Sequence, residues 1–350
     1  METKVEATYS HFYVGTYTRK EGHVDGVAEG VYCYKMNDQT GVISHVSTVT
    51  GLINPSFVAL HPNKKWLYAA QEHGGAGDFP TGTVSSILID PATHAMTLQN
   101  TVSAEGGAPC YVSISADGQY VLVANYVGGN IAALPIQADG TLGEATDMVK
   151  HAGENPHAHY VNTERDGNIY VADLGISQTL RYELVDGKFN LKDKYQAADG
   201  AGTRHLAFHP KLDRVYALNE WNGTVDVLNT ADLSALQTIS TTKDGSTDKA
   251  GSGAIRVHPN GQFLYASNRF ERNNIAIYKI DQVDGKITLI GHQDVFGRTP
   301  RDFIIDPQGK FLLVANQDSR DVVTFKIKTD GTLEKVQKTE VASPVCIVFE

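Results

Sequence analysis

Three arginines, three histidines and two glutamates in this chain have the side chains needed to bind a small anion and activate water. They are Arg204, Arg269 and Arg301; His157, His159 and His205; and Glu72 and Glu220. An arginine fork donates two parallel hydrogen bonds to a carboxylate or phosphate. A histidine or glutamate can take a proton from water, and a fixed cation can stabilise the oxyanion that follows. Grouped in a low dielectric, three arginines repel one another unless an anion lies between them. The alternative is that Glu220 or Glu72 neutralises them in salt bridges. His157-x-His159 has the spacing at which two strand side chains point the same way. A zinc pair is conceivable there, but no third ligand accompanies it, so no metal is expected. All these residues are dispersed along the chain, so only a fold can assemble them.

One pattern recurs and supplies that fold. A small residue or Pro opens an apolar-alternating run, a tight "HP" or "DG" turn follows, then a second apolar run ends on polar residues. It reads NPSFVALHPNKKWLYAAQE from Asn54, APCYVSISADGQYVLVANY from Ala108 and NPHAHYVNTERDGNIYVADL from Asn155. It returns from Gly202, Ser252 and Thr299, with anchors at Pro55, Pro109, Pro156, Thr203, Ser252, Pro300 and Pro344. Each interval holds two further strand-like runs, such as Thr83–Ile89 and Met96–Val102. A four-stranded unit at near-constant spacing is the signature of a propeller blade. The chain ends on SPVCIVFE, a first strand with no second. It begins with HFYVGTYT, a second strand with no first. Residues 1–350 are therefore expected to form one all-β domain. It is a seven-bladed β-propeller of four-stranded antiparallel blades, closed by pairing the C-terminal strand with the N-terminal segment.

This topology sorts residues by face. The starts of first strands and the ends of second strands share the top face. The turns between them lie at the bottom. His61, His209 and His258 fall in those bottom turns and are expected to be turn residues. The top face gathers His157, His159, Arg204, His205 and Arg301 from strand starts. It gathers Glu72, Asn125, Asp173, Asn219, Glu220, Asn268, Arg269, Asn316 and Gln317 from strand ends. The set describes a funnel for a small anionic ligand. Gly74-Gly75-Ala76-Gly77 follows a second strand, either as a backbone phosphate cradle or as a plain loop.

Composition bounds the partners. With 41% hydrophobic and 20% charged residues the chain is globular, and its net charge of −10 carries no basic run suited to nucleic acid. No apolar run is long enough to span a bilayer, and Met1 to Ser10 has no apolar leader, so no membrane partner and a cytoplasmic location are expected. Cys33, Cys110 and Cys346 sit apart among apolar residues, as buried reduced thiols would. A monomer or weak homodimer is expected.

The chain resembles the seven-bladed propeller lactonase family over nearly its whole length. The resemblance rests on YVGTYT at Tyr13, NPSFVALHP at Asn54, VANY at Val123 and NPHAH at Asn155. It continues in ADLG at Ala172, LNE at Leu218, SNR at Ser267, PRDF at Pro300 and VANQ at Val314. One departure is Thr203, where the family pattern usually has Pro before Arg204. Thr leaves the strand start less rigid. The resemblance implies hydrolysis of a sugar lactone, in first place 6-phosphogluconolactone, with no cofactor. Glu220, His157 or His159 would be the base and Arg204 the carbonyl activator. Arg269, Arg301, His205, Asn219, Asn268, Gln317 and Glu72 would hold an anionic sugar or carboxylate substrate. The same site run toward ring closure, as in carboxymuconate lactonizing enzymes, is one alternative. A non-catalytic binding propeller is the other.

Overall fold

The computed structural model describes residues 7–75, 80–246 and 250–350. Among these, every regular element is a strand, and seven sheets hold four antiparallel strands each. Blade 1 runs from its inner strand Pro55–Leu60 through Trp66–Gln71 and Thr83–Ile89 to Met96–Ser103 at the rim. Blades 2 to 6 repeat this order, with inner strands at Pro109–Ile114, Ala158–Thr163, Thr203–Phe208, Ser252–Val257 and Pro300–Ile305. Blade 7 is composite: the C-terminal strand Pro344–Phe349 pairs with Tyr9–Thr16, so that Tyr13 faces Val348 and Phe12 faces Phe349. Each inner strand touches the next, and the seventh touches the first. Closure pairs a late strand with an early one, so that the seventh blade is complete and only channel-facing and rim edges stay unpaired. A short extra hairpin, Lys20–Glu21 with Val24–Asp25, stands outside the blades.

Apolar residues of the middle strands fill the space between blades, and polar tethers stitch the joints. Tyr68, Tyr216 and Tyr265 are fully buried, and each hydroxyl donates to a turn carbonyl of the following blade (Gly140, Gly285 and Gly331). The three bottom-turn histidines serve the same end. His61, His209 and His258 each bond through Nε2 to a glycine carbonyl of the next blade (Gly118, Gly261 and Gly309). Their Nδ1 atoms accept backbone N–H groups of their own turns. They are turn residues, as the topology required.

Two local features aim side chains at the channel. Every inner strand carries a break in its ladder at its second residue: in six blades pairing skips that one position, and in blade 5 it skips Gly253 and Ala254 opposite Ser267. A bulge bends the strand and re-aims the unpaired residue. The seven residues so placed are Ser56, Cys110, His159, Arg204, Gly253, Arg301 and Val345. The residue entering the strand is usually left-handed, as at Asn54, Gly202 and Thr299. Blade 3 differs. Its left-handed residue is Asn155, and the ladder starts at Ala158 opposite Asp173, two residues beyond the Pro156 anchor read from the sequence. The extra pair Pro156-His157 is held by Asp173, whose Oδ1 accepts the His157 N–H at 2.8 Å.

Candidate active site

Two stacked rings of side chains form the top of the channel. The lower ring is the set of bulge residues. Six of its seven members (Ser56, Cys110, His159, Arg204, Arg301 and Val345) line one small cavity, together with His205. The upper ring is the residue after each second strand: Tyr17, Glu72, Tyr126, Leu174, Glu220, Arg269 and Gln317. The backbone N–H of each bonds the carbonyl of the residue entering its blade's inner strand, as Glu220 does to Gly202 at 2.7 Å. Sequence places these residues far apart; strand ends at one radius bring them together.

Charge is concentrated in blades 4, 5 and 6 and in Glu72 of blade 1. Glu220 lies between two arginines, with Oε1 2.7 Å from Arg269 Nη2 and Oε2 2.9 Å from Arg204 Nε. Arg204 is 2% exposed, and its Nη1 reaches His205 Nε2 at 3.1 Å and the Gly253 carbonyl. Arg269 Nε donates to the Gly251 carbonyl at 2.7 Å. Arg301 lies 3.7 Å from Glu72 Oε2 and packs over the Tyr17 ring, whose hydroxyl donates to the same carboxylate oxygen. The salt-bridge alternative is thus realised. Glu220 alone serves both Arg204 Nε and Arg269 Nη2, one on each carboxylate oxygen. Three guanidiniums face two carboxylates, which leaves an excess positive charge in a buried place.

This field sets the proton affinities. Burial pulls Arg204 down, Arg269 adds to the effect, and its pKa falls to about 9, so it stays cationic at neutral pH. Burial works to raise Glu220, but the three arginines outweigh it and hold the carboxyl below its usual range. Burial and then Arg204 hold His159 and His205 well below the ordinary imidazole range, so both are neutral. Their Nδ1 atoms lack partners. His205 accepts from Arg204 on Nε2, which places its own proton on Nδ1.

His157 stacks on Tyr126 at 4.4 Å between ring centroids, and Tyr126 also meets His159 edge-on at 5.9 Å. Asp173 fixes this corner. One carboxylate oxygen accepts the N–H groups of His157 and Ile176, and the other lies 2.6 Å from His151 Nδ1, with both side chains fully buried. Below the rings an aromatic layer closes the channel. Phe57 stacks on Tyr111 at 3.9 Å, Tyr111 leans on Tyr160 at 4.7 Å, and His205 meets Tyr111 edge-on at 5.3 Å. Beside Glu72 a cleft of about 390 Å³ opens on the top face, lined by Arg19, His23, His73 and Gly74 among others.

A buried arginine–histidine–glutamate cluster at the top of a seven-bladed ring is a specific combination, and comparison with known proteins identifies its kin. The family profile described as "Lactonase, 7-bladed beta-propeller" matches residues 11–349. The chain belongs to this family. It is 32% identical over 351 residues to 6-phosphogluconolactonase of Bacillus subtilis (strain 168), covering 96% of this chain and 97% of that protein. The structure of Pseudomonas aeruginosa periplasmic gluconolactonase superposes with a TM-score of 0.86 at 27% identity, covering 98% of this chain and 99% of the other. A Lactobacillus plantarum protein superposes with a TM-score of 0.88 at 29% identity, over 98% and 100% of the two chains. The chain is a lactonase, an enzyme that hydrolyses lactones.

Within this lactonase the predicted residues divide. Glu220, Arg204, Arg269, Arg301, Glu72, His159 and Gln317 meet at the two rings, and His157 stands at their edge. His205 sits lower, with one ring nitrogen on Arg204 and its ring against the aromatic layer. Asn219 and Asn268 do not reach the channel. Asn219 accepts from Thr203 and donates to Thr224 and Asp226, while Asn268 bonds Thr241, Ser252 and Asn274. Successive strand residues face opposite ways, so the last residue of each second strand turns into the blade and the next turns into the channel. Asn125, Asn316 and Asp173 follow the same rule. Thr203, the departure from the family pattern, is fully buried and tied to Asn219 at 2.8 Å, which fixes the strand start that Pro would have stiffened. Tyr17, Tyr126 and His151 belong to the site or its support and were not among the predicted residues. The repeat register carries the signal for the first two, because they share the upper-ring position with Glu72 and Glu220. All three cysteines are free and buried, and burial raises their thiol pKa values, that of Cys33 to about 12. Ala76 and Gly77 of the glycine-rich stretch lie outside the described residues. Among the described residues no helix is long and apolar enough to cross a membrane.

Proposed function

We propose that the chain hydrolyses a phosphorylated sugar lactone, 6-phosphogluconolactone, to the open acid. The observation that carries the reading is the buried cationic excess of Arg204, Arg269 and Arg301 over Glu220 and Glu72. A lactone carbonyl that gains negative charge on attack is stabilised most by fixed cations already in place in a low dielectric. Arg204 polarises the carbonyl and holds the oxyanion. Arg269 and Arg301 hold the substrate's anionic group. His159 is the base: its imidazole is neutral and faces the cavity, and the protonated form that the arginines disfavour is offset once an anionic substrate lies among them, whereas both oxygens of Glu220 are committed to Arg269 and Arg204. Glu220 instead sets the spacing of the guanidiniums. Water attacks the carbonyl carbon and gives a proton to His159. The tetrahedral intermediate then collapses, the ring C–O bond breaks, and the leaving alkoxide takes that proton back. No covalent enzyme intermediate is needed.

With Asn219 and Asn268 turned into their blades, sugar hydroxyls are left to Gln317, Tyr126 and the cleft beside Glu72. The reading is supported by the Bacillus subtilis relative's name and by the charge of the site. It is tested with a panel of phosphorylated and unphosphorylated lactones and a carboxymuconate, after subtraction of spontaneous hydrolysis. Turnover of the phosphorylated lactone that falls at least about 100-fold in His159→Ala, and also in Arg204→Ala, is the expected result. Ring closure of the muconate with no lactone turnover, or full turnover in the double variant Glu220→Gln/Arg204→Ala, overturns it.

A further inference from the structure

Three metal-ligating side chains converge on the face opposite the arginine cluster. His11 stands near the start of Tyr9–Thr16, and Glu350 follows the closing strand Pro344–Phe349. His94 lies in the turn between the third and outer strands of blade 1. Inner strands run from the channel mouth downward, so Glu350 marks the bottom face. The turn carrying His94 and the start of the His11 strand lie on that face as well.

Ligand atoms of the three all fall within 4.8 Å of one another, and all three residues are half-buried. His94 Nε2 is 3.0 Å from Glu350 Oε2. The His11 and His94 rings stack at 3.6 Å with 14° between their planes. The backbone of each is fixed independently. The His11 carbonyl accepts the Glu350 N–H at 2.9 Å, and the His94 carbonyl accepts the Ser47 hydroxyl at 2.6 Å. His94 itself is held in a left-handed conformation, φ 55°. Two imidazoles share one carboxylate, so they cannot both be charged at this spacing without strong repulsion. Burial and His94 lower the proton affinity of His11. Lys35 also faces His11, and its ammonium is drawn over the Tyr9 ring, 4.9 Å from the centroid. Neutral imidazole is the metal-binding form.

We propose that His11, His94 and Glu350 form a binding site for a divalent transition-metal ion of the zinc class. Two imidazole nitrogens and one carboxylate oxygen are a borderline donor set that suits zinc and disfavours calcium and magnesium, which take oxygen ligands. The fourth position is open to water. Imidazole orientation about the terminal torsion is soft, so the stacked rings open toward a shared ion without moving the backbone. The ion joins both strands of the ring closure, through His11 and Glu350, to the neighbouring blade through His94. Its role is to clamp the closure, and it stands apart from the lactone chemistry.

The test uses the full chain stripped with a chelator and titrated calorimetrically with zinc, with melting followed in parallel. The expected result is one zinc per chain and a melting temperature that climbs with zinc concentration, as binding to the native state requires. Losing a direct ligand costs at least as much as losing a ligand's outer partner, so His94→Ala and Glu350→Gln each weaken binding about 10-fold or more. Cobalt substituted into the wild-type chain gives d–d absorption of nitrogen/oxygen coordination, a readout that needs no variant. Absence of stoichiometric zinc binding overturns the proposal. So does an unchanged affinity in both variants, or cobalt without those bands.

Discussion

Replacing Glu220 by Gln keeps the shape of the side chain and removes the charge between Arg204 and Arg269. Charge separations of about 4 Å at an effective dielectric near 20 correspond to about 4 kcal/mol per pair before desolvation is subtracted. Breaking a buried ion pair by neutralising one partner typically costs about 3–5 kcal/mol, because the other charge stays buried. Glu220 is shared by two arginines at 2.7 and 2.9 Å, with Arg301 adding a third like charge. The variant should therefore lose about 3–5 kcal/mol. At about 2 °C per kcal/mol for a large domain, its melting point falls by about 6–10 °C. Inorganic phosphate should reverse much of this. A dissociation constant 100-fold below the phosphate concentration returns about 2.7 kcal/mol. Wild type, which already holds an internal carboxylate between its arginines, should respond less. The assay is thermal unfolding of both proteins across a phosphate series at constant ionic strength. Melting within about 1 °C of wild type, with equal phosphate shifts in both, would refute the idea that Glu220 stands in for substrate charge.

Asp173→Asn removes the charge facing His151 and weakens the hold on the His157 N–H. Turnover of the lactone should fall through kcat more than KM, with far-UV circular dichroism unchanged; an unaltered kcat shows that Asp173 does not position this corner. Gly253→Ala places a Cβ 2.9 Å from the Arg301 carbonyl and 2.8 Å from the Ser267 hydroxyl. This should displace both Arg204, which bonds the Gly253 carbonyl, and Arg301; activity is expected to drop well beyond what the melting point shows, measured side by side. Stability should peak close to pH 6.5. Below it the unfolded chain protonates His159 and His205 while the folded chain does not, and stability declines by up to about 1.4 kcal/mol per pH unit for each proton. Above it Glu164, pushed by burial up to about 8, is protonated in the fold but ionised when unfolded, so stability declines again toward pH 8. Denaturant midpoints across pH 5–8 check this, and Glu164→Gln should flatten the alkaline limb.

The blades were legible in the sequence because strand length, turn chemistry and apolar alternation repeat together, and each repeat constrains the others. The closing pair was legible from two half-units left over at the ends. Faces were legible because antiparallel strands place starts and ends together. What topology does not contain is the direction of a side chain about its own strand. Asn219 and Glu220 are neighbours with opposite aims, and only the alternation rule applied to a known last residue separates them. The bulge that turns Arg204 and His159 inward is a one-residue event without a sequence signature. In blade 3 the Asn-Pro pair imitates the start at Asn54-Pro55, yet Asp173 captures the His157 N–H and delays the ladder to Ala158. His151 became visible only as the buried partner of that aspartate.

The seven bulges give every blade one seat at the axis, filled by Ser56, Cys110, His159, Arg204, Gly253, Arg301 and Val345. Three seats carry the chemistry and four are quiet. A seat changes by a single substitution, while the ladder around it is held by backbone bonds that ignore side-chain identity. The ring therefore behaves as a turret with interchangeable tools. New reactivity can be tried at Ser56, Cys110 or Val345 without redesigning the scaffold, whereas Gly253 must stay empty for its neighbours' sake.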